Sequence, residues 1–300
     1  MPIPPTSDTH SILFMRLTVP IHTGIILFIN LSPRSLQKPT NRQMISNSND
    51  NHSENEAKLL TVDHAPNQPT MTDSLTFLST ICGSLKNIKR TGWVRMKVPL
   101  PESDADHMHR CAMCAMLVTT QGADPRDDYS GSNDKFHPSK IDGMKLLRMA
   151  VTHDVCESIA GDITPFCDAG AVASKHDKEK AAMEEIRNIV GDPLGLELFE
   201  LWKEYEELIT PEAVYCKDID KFEMVMQAYE YEKAHLKPKS DGQEESNENG
   251  DVFSEPIRSF FITTSKKMKS PLFIRLDAEL RTKREAMLKE LGWDVSDEEK

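Results

Sequence analysis

The sequence predicts an all-α protein. Apolar residues recur at three- and four-residue steps from Ser74 onward, two polar interruptions break that pattern, and no Val/Ile alternation runs long enough for a sheet. At 300 residues, 38% hydrophobic and 28% charged, the chain can bury one large core and carry polar extensions beside it. Its formal net charge of -12 at pH 7 repels phosphate backbones. That argues against a nucleic-acid polymer as partner, and any anionic substrate must be met by local cations or a metal.

Residues 1–70 begin with Pro2, Pro4, Pro5, Pro20, Pro33 and Pro39 and continue into a polar run from Asn47 to Asn55, the composition of a disordered extension. The apolar stretch between Ile12 and Leu31 is interrupted by Arg16, Pro20 and His22. Its longest unbroken run, Ile25 to Ile29, is far shorter than the ~18 to 20 residues of a spanning helix, so no membrane anchor is expected. With Arg16, Arg34, Lys38 and Arg42 it reads either as a mitochondrial presequence or as an unconstrained tail of a cytoplasmic protein.

The domain core is expected over 72–235. Leu75, Leu78, Ile81, Leu85 and Ile88 form the stripe of a first helix. A loop holding Gly92-Trp93 and Pro99-Leu-Pro101 leads to a helix beginning near Asp104. Residues 121–140, rich in Gly, Asp, Asn, Ser and Pro, read as a surface insertion. Residues 236–255 are acidic and turn-forming and read as a disordered loop, and 256–300 as a C-terminal helical extension of the same domain, with its last helix around Leu276 to Leu291. The six cysteines are scattered and read as reduced side chains of an intracellular protein; Cys111-Ala-Met-Cys114 lies inside a helical run with no second pair at zinc-site spacing, so both are read as core.

The strongest local signal is Ala150-Val-Thr-His153-Asp154-Val-Cys-Glu157, at the end of a helix built on Leu146, Leu147 and Ala150. At 100° per residue, positions 146, 150, 153 and 157 share a face and Asp154 lies beside them, so an imidazole and two carboxylates leave the apolar side of a helix. Burying them demands hydrogen bonds or a metal. His107 precedes Cys111, Cys114 and Val118 at helical steps, and Asp220 shares a face with Ala213, Cys216 and Met224. Two histidines and two aspartates from three helices would form a divalent-metal cage with positions left for water and a substrate oxygen.

These stretches resemble the HD-domain metal-dependent phosphohydrolases, and within them the 5'-deoxynucleotidase branch, the HD-domain-containing protein 2 type of eukaryotes and its bacterial relatives. The likeness is carried by Arg90-Thr-Gly-Trp93, Glu102-Ser-Asp-Ala-Asp-His-Met108, Met149 to Ile163, Leu198 to Glu206 and Lys217 to Glu232. It implies that one divalent metal ion is held by His107, His153, Asp154 and Asp220, with Asp218 the competing choice for the last. It implies Glu157 as the catalytic acid that takes or relays a proton, Asp162 near the substrate sugar and leaving oxygen, and Arg90 and Trp93 on phosphate and sugar. In the bacterial motif the arginine and tryptophan are adjacent, whereas here two residues separate them. The implied activity is hydrolysis of deoxyribonucleoside 5'-monophosphates to deoxynucleoside and phosphate by a homodimer. Another superfamily phosphohydrolase, or a nucleotide-binding regulator without turnover, is the alternative.

Overall fold

The computed structural model describes residues 70–120, 122–239 and 253–299, so the expectations for 1–69 and for 240–252 lie outside the described residues. All described residues fall within one compact unit, Thr61–Lys300. They form helices, short 3-10 turns and two isolated bridges, Lys89 with Ser103 and Leu236 with Phe253, with no strand among them.

The first helix, α1 (Met71–Thr76), starts earlier than the apolar stripe suggests because Thr70 and Asp73 close a reciprocal capping box. A π turn over Phe77–Ile81 then joins α1 to α2 (Cys82–Leu85). Ile81 and Leu85 are buried as the stripe requires, but Leu75 and Leu78 are 61% and 60% exposed. A π turn bonds i to i+5 and rotates the preceding residues out of α register, so Phe77 packs inward in place of Leu78. Thr91–Arg95, expected as loop, forms the short helix α3.

Next come α4 (Asp104–Thr120) and α5 (Gly143–Ala150), which pack on each other at a close approach where a Cβ on Gly143 would lie 2.7 Å from Thr119. The segment between them contains two 3-10 turns, Gly131–Phe136 and Pro138–Lys140. It is fixed by Phe136 in the core, whose carbonyl accepts from the Tyr215 hydroxyl, and by Arg275, whose Nε donates to Asp127 Oδ1 at 2.6 Å. After α6 (Glu157–Ala160) and α7 (Ala169–Ala173), α8 (Lys175–Val190) and α9 (Leu194–Glu207) make a hairpin. They meet at Gly195, where an added Cβ would lie 2.7 Å from the Arg187 carbonyl oxygen.

The centre is α10 (Pro211–His235), capped by Thr210 with Pro211 in its first turn. Tyr215, Ile219, Phe222, Val225 and Ala228 on it are all buried, as befits a helix packed on α4, α5 and α9. The C-terminal elements α11 (Arg258–Thr264) and α12 (Pro271–Glu290) pack on α10 too. Phe273 meets Phe222 edge-on at 5.4 Å, and buried Arg284 forks onto both carboxylate oxygens of Glu232 at 2.6 and 2.8 Å and also reaches Glu299 at 2.9 Å.

Candidate metal centre

His153 and Asp154 do not sit on a helix proper. The α-helix ends at Ala150, and the chain continues in tightened turns in which Val155 N donates to the Thr152 carbonyl and Glu157 N to the Asp154 carbonyl. Three residues per turn then bring Asp154 and Glu157 to one side, which the 100° reading only approximated. Two connections hold the facing wall. Arg90 N donates to the Glu102 carbonyl and Asp104 N to the Ile88 carbonyl, which ties the Arg90 loop to the start of α4.

The four expected ligand side chains come together. His107 Nε2 lies 3.5 Å from Asp220 Oδ1 and 3.7 Å from Asp154 Oδ2, and His153 Nε2 lies 3.3 Å from the same Asp154 oxygen. Each imidazole is held from behind. His153 Nδ1 donates to the Ala150 carbonyl at 3.1 Å, and His107 Nδ1 donates to Glu223, a fully buried carboxylate on α10. Both Nε2 atoms face the carboxylates, and His153 Nε2 is buried with no hydrogen-bond partner. An orphaned imidazole nitrogen beside two aspartates fits a divalent cation.

Arg90 reaches into the same cluster. Its Nη1 donates to Asp154 Oδ2 at 3.1 Å and lies 3.8 Å from Glu157, and its Nη2 lies 3.9 Å from Asp220. Burial works against the carboxylate of Asp154, but His153 and Arg90 outweigh it and hold the acid below its ordinary range. Asp220 is likewise kept low against burial, by His107 and Lys217, and its Oδ2 accepts from Tyr205 at 2.8 Å. Glu157 goes the other way. Burial and then the Asp154 charge push it well above the usual range, and its Oε2 has no hydrogen-bond partner. Asp162 follows Gly161, whose φ of 76° ends α6, and accepts from Thr91 N at 2.6 Å.

The HD-domain family profile matches residues 82–255, more than half of the chain. The chain belongs to the HD-domain family. Within that family it is 42% identical over 204 residues to the 5'-deoxynucleotidase HDDC2 of Dictyostelium discoideum, covering 68% of this chain and 95% of that one. It is 34% identical to the human protein of the same name, over 68% of this chain and 83% of that one. A solved structure, the PH0347 protein of Pyrococcus horikoshii OT3, is 25% identical with a TM-score of 0.47 over 71% of this chain and 97% of that one.

Trp93, expected on the sugar, and Asp218, the competing choice for the last ligand of this HD domain, lie elsewhere than the cluster. Trp93 is 2% exposed, packed between Phe260 at 4.4 Å and Tyr231 at 5.3 Å, with its indole N–H donating to Glu102. Asp218 is buried behind α10, its Oδ2 accepting from Lys269 N, Ser270 N and the Ser270 hydroxyl, so of the two aspartates only Asp220 faces the histidines. The sequence reading gave no role to four groups that do lie at or behind the cluster. Glu223 is one turn beyond Asp220 on α10, a spacing that could have revealed it. Glu102 is pushed up to about 7 by burial and by Glu223. Asp104 is buried with neither carboxylate oxygen partnered, and burial raises it to about 7. The Cys111 sulfur lies 3.6 Å from His107 Nε2, its thiol pushed up to about 11 by burial.

Proposed function

We propose that this protein is a metal-dependent 5'-deoxynucleotidase, a phosphoric monoester hydrolase acting on deoxyribonucleoside 5'-monophosphates. The observation that carries the reading is the orphaned His153 Nε2 facing Asp154 beside His107 and Asp220, with Arg90 and the unpartnered Glu157 at the same point. The relatives named 5'-deoxynucleotidase, nearly all of whose length this chain matches in the case of the Dictyostelium protein, support the substrate class.

In this reading His107, His153, Asp154 and Asp220 hold one divalent cation. Such a cation, when bound, neutralises phosphoryl oxygens and acidifies water. Arg90 supplies the second positive charge for the phosphate dianion, and its guanidinium is already desolvated among three carboxylates. Glu157, whose charged form is disfavoured by burial and by Asp154, takes or relays a proton. Asp162, fixed by the Thr91 N–H, takes a sugar hydroxyl. Trp93 acts through the Arg90 loop, which it anchors in the core, rather than on the sugar.

Phosphate release from dAMP, dGMP, dCMP and TMP, each beside its ribonucleotide or uridine counterpart, with and without added metal, tests the proposal. Metal-dependent release at least about tenfold faster from the deoxy substrates is expected, the scale of a hydroxyl left without a partner. Equal rates on both sugars would remove the deoxynucleotide assignment, and no release with any metal would remove the hydrolase. The same reading takes the protein to be a cytoplasmic homodimer, for light scattering and localisation of the tagged full chain to check. No helix among the described residues is long and apolar enough to cross a membrane.

A further inference from the structure

The geometry points to Cys111 as an additional ligand at the centre formed by His107 and His153, one that makes the site selective for thiophilic divalent ions such as zinc and cobalt over magnesium and manganese. It rests on the reading of that cluster as a metal site. Cys111 lies one turn beyond His107 on α4, on the same face, and is fully buried. Its sulfur is nearer to Nε2 of His107, at 3.6 Å, than to Nδ1, at 4.0 Å, so it sits toward the nitrogen that faces the aspartates and not toward the one engaged by Glu223. Donor atoms of Cys111, His107 and His153 all lie within 4.8 Å of one another, and in the same cluster the buried His153 Nε2 has no hydrogen-bond partner.

The spacing is that of two ligands on one ion. With a metal–sulfur bond of about 2.3 Å and a metal–nitrogen bond of about 2.05 Å, the angles of about 90 to 120° between neighbouring ligands of a five-coordinate ion put sulfur and nitrogen about 3.1 to 3.8 Å apart. The observed separation is 3.6 Å. Ligation would replace the thiol S–H by a sulfur–metal bond and release the proton to solvent. A thiolate raises affinity for soft ions and does little for hard ones, which take oxygen donors.

The test uses the full chain, stripped with a chelator and titrated with Co²⁺ alone. Visible ligand-field bands report occupancy, and a near-ultraviolet sulfur-to-cobalt charge-transfer band reports the thiolate. Both are expected to rise together in the parent. Cys111→Ser should lose the second band and keep the first, Cys114→Ser should keep both, and Zn²⁺ affinity should fall at least about tenfold in Cys111→Ser while Mn²⁺ affinity stays within about threefold. Visible bands without the near-ultraviolet band in the parent would overturn the role of Cys111 and leave the metal site standing. A charge-transfer band that survives Cys111→Ser would overturn it as well. Absence of any cobalt spectrum in the parent would remove both the ligand and the metal-site reading. The parent spectrum decides without a variant, and Cys111→Ala replaces the serine form should the latter fail to fold.

Discussion

At the scale of single residues, the site separates groups that hold charge from groups that hold protons. Asp154 is kept ionised by His153 and Arg90, whereas Glu157, three residues on, is pushed toward its neutral form by burial and by Asp154 itself. Asp154→Ala should therefore abolish metal-dependent hydrolysis together with bound metal, while Glu157→Gln should retain the metal and lose about 10²-fold or more in kcat. Elemental analysis beside steady-state rates distinguishes the two. Asp104 makes a different prediction. As a carboxyl raised to about 7 when folded, it binds a proton in the native state that it has lost in the unfolded state between about pH 4 and 7, so it subtracts stability as pH rises through that window. Asp104→Asn should stabilise the metal-free protein above pH 7 by up to about 4 kcal/mol and by little at pH 4, as read by urea melts at the two pH values. The inward position of His107, His153 and Asp220 was legible in the sequence because each sits at helical steps from apolar residues, with Asp154 beside His153, whereas their expected role as metal ligands came from the resemblance to the family. The choice of Asp220 over Asp218 was not legible from periodicity, since α10 is buried on nearly every side and both positions look inward. The place of Trp93 is not legible for a related reason: a ring beside a short turn can fill a core or a pocket, and only the distant Tyr231 and Phe260 decide which.

At the scale of elements, the departures from the expected pattern are backbone events that side-chain spacing does not encode. The π turn that exposes Leu75 and Leu78, the short helix α3 where loop was expected, and the tightened turns after Ala150 each change the angle per residue locally. The helix start at Thr70 was encoded, in a capping box just ahead of the apolar stripe. The α8–α9 hairpin gives a test of close packing. In an open helix Gly→Ala stabilises by about 1 kcal/mol, but a Cβ at Gly195 would press on Arg187 backbone atoms that cannot give way singly. Gly195→Ala should instead destabilise by about 1 to 3 kcal/mol in a denaturant titration.

At the scale of the whole molecule, α10 both bears Asp220 and Glu223 and receives α11 and α12, so the C-terminal elements support the wall of the site from behind. The buried fork of Arg284 on Glu232 and Glu299 is central to that support. Arg284→Ala should cost about 3 to 5 kcal/mol, since it leaves the buried Glu232 without its cation and Glu299 with Arg258 alone, and the loss should show as a lowered thermal midpoint. Deletion of residues 1–69 should change neither the thermal midpoint nor hydrolysis, because no site residue lies there and the composition is that of an extension. A truncated chain that aggregates would show that the segment packs on the domain.

The two imidazoles of the site differ in how heritable their anchors are. His153 leans on the carbonyl of Ala150, a group that every residue type carries, so no substitution at position 150 erases it outright. His107 leans on the side chain of Glu223, which a single codon change can delete. Variation that detunes this centre while leaving both histidines in place thus has an open route through position 223, and the chemistry of one half of the pair is written in the main chain while that of the other must be kept by selection.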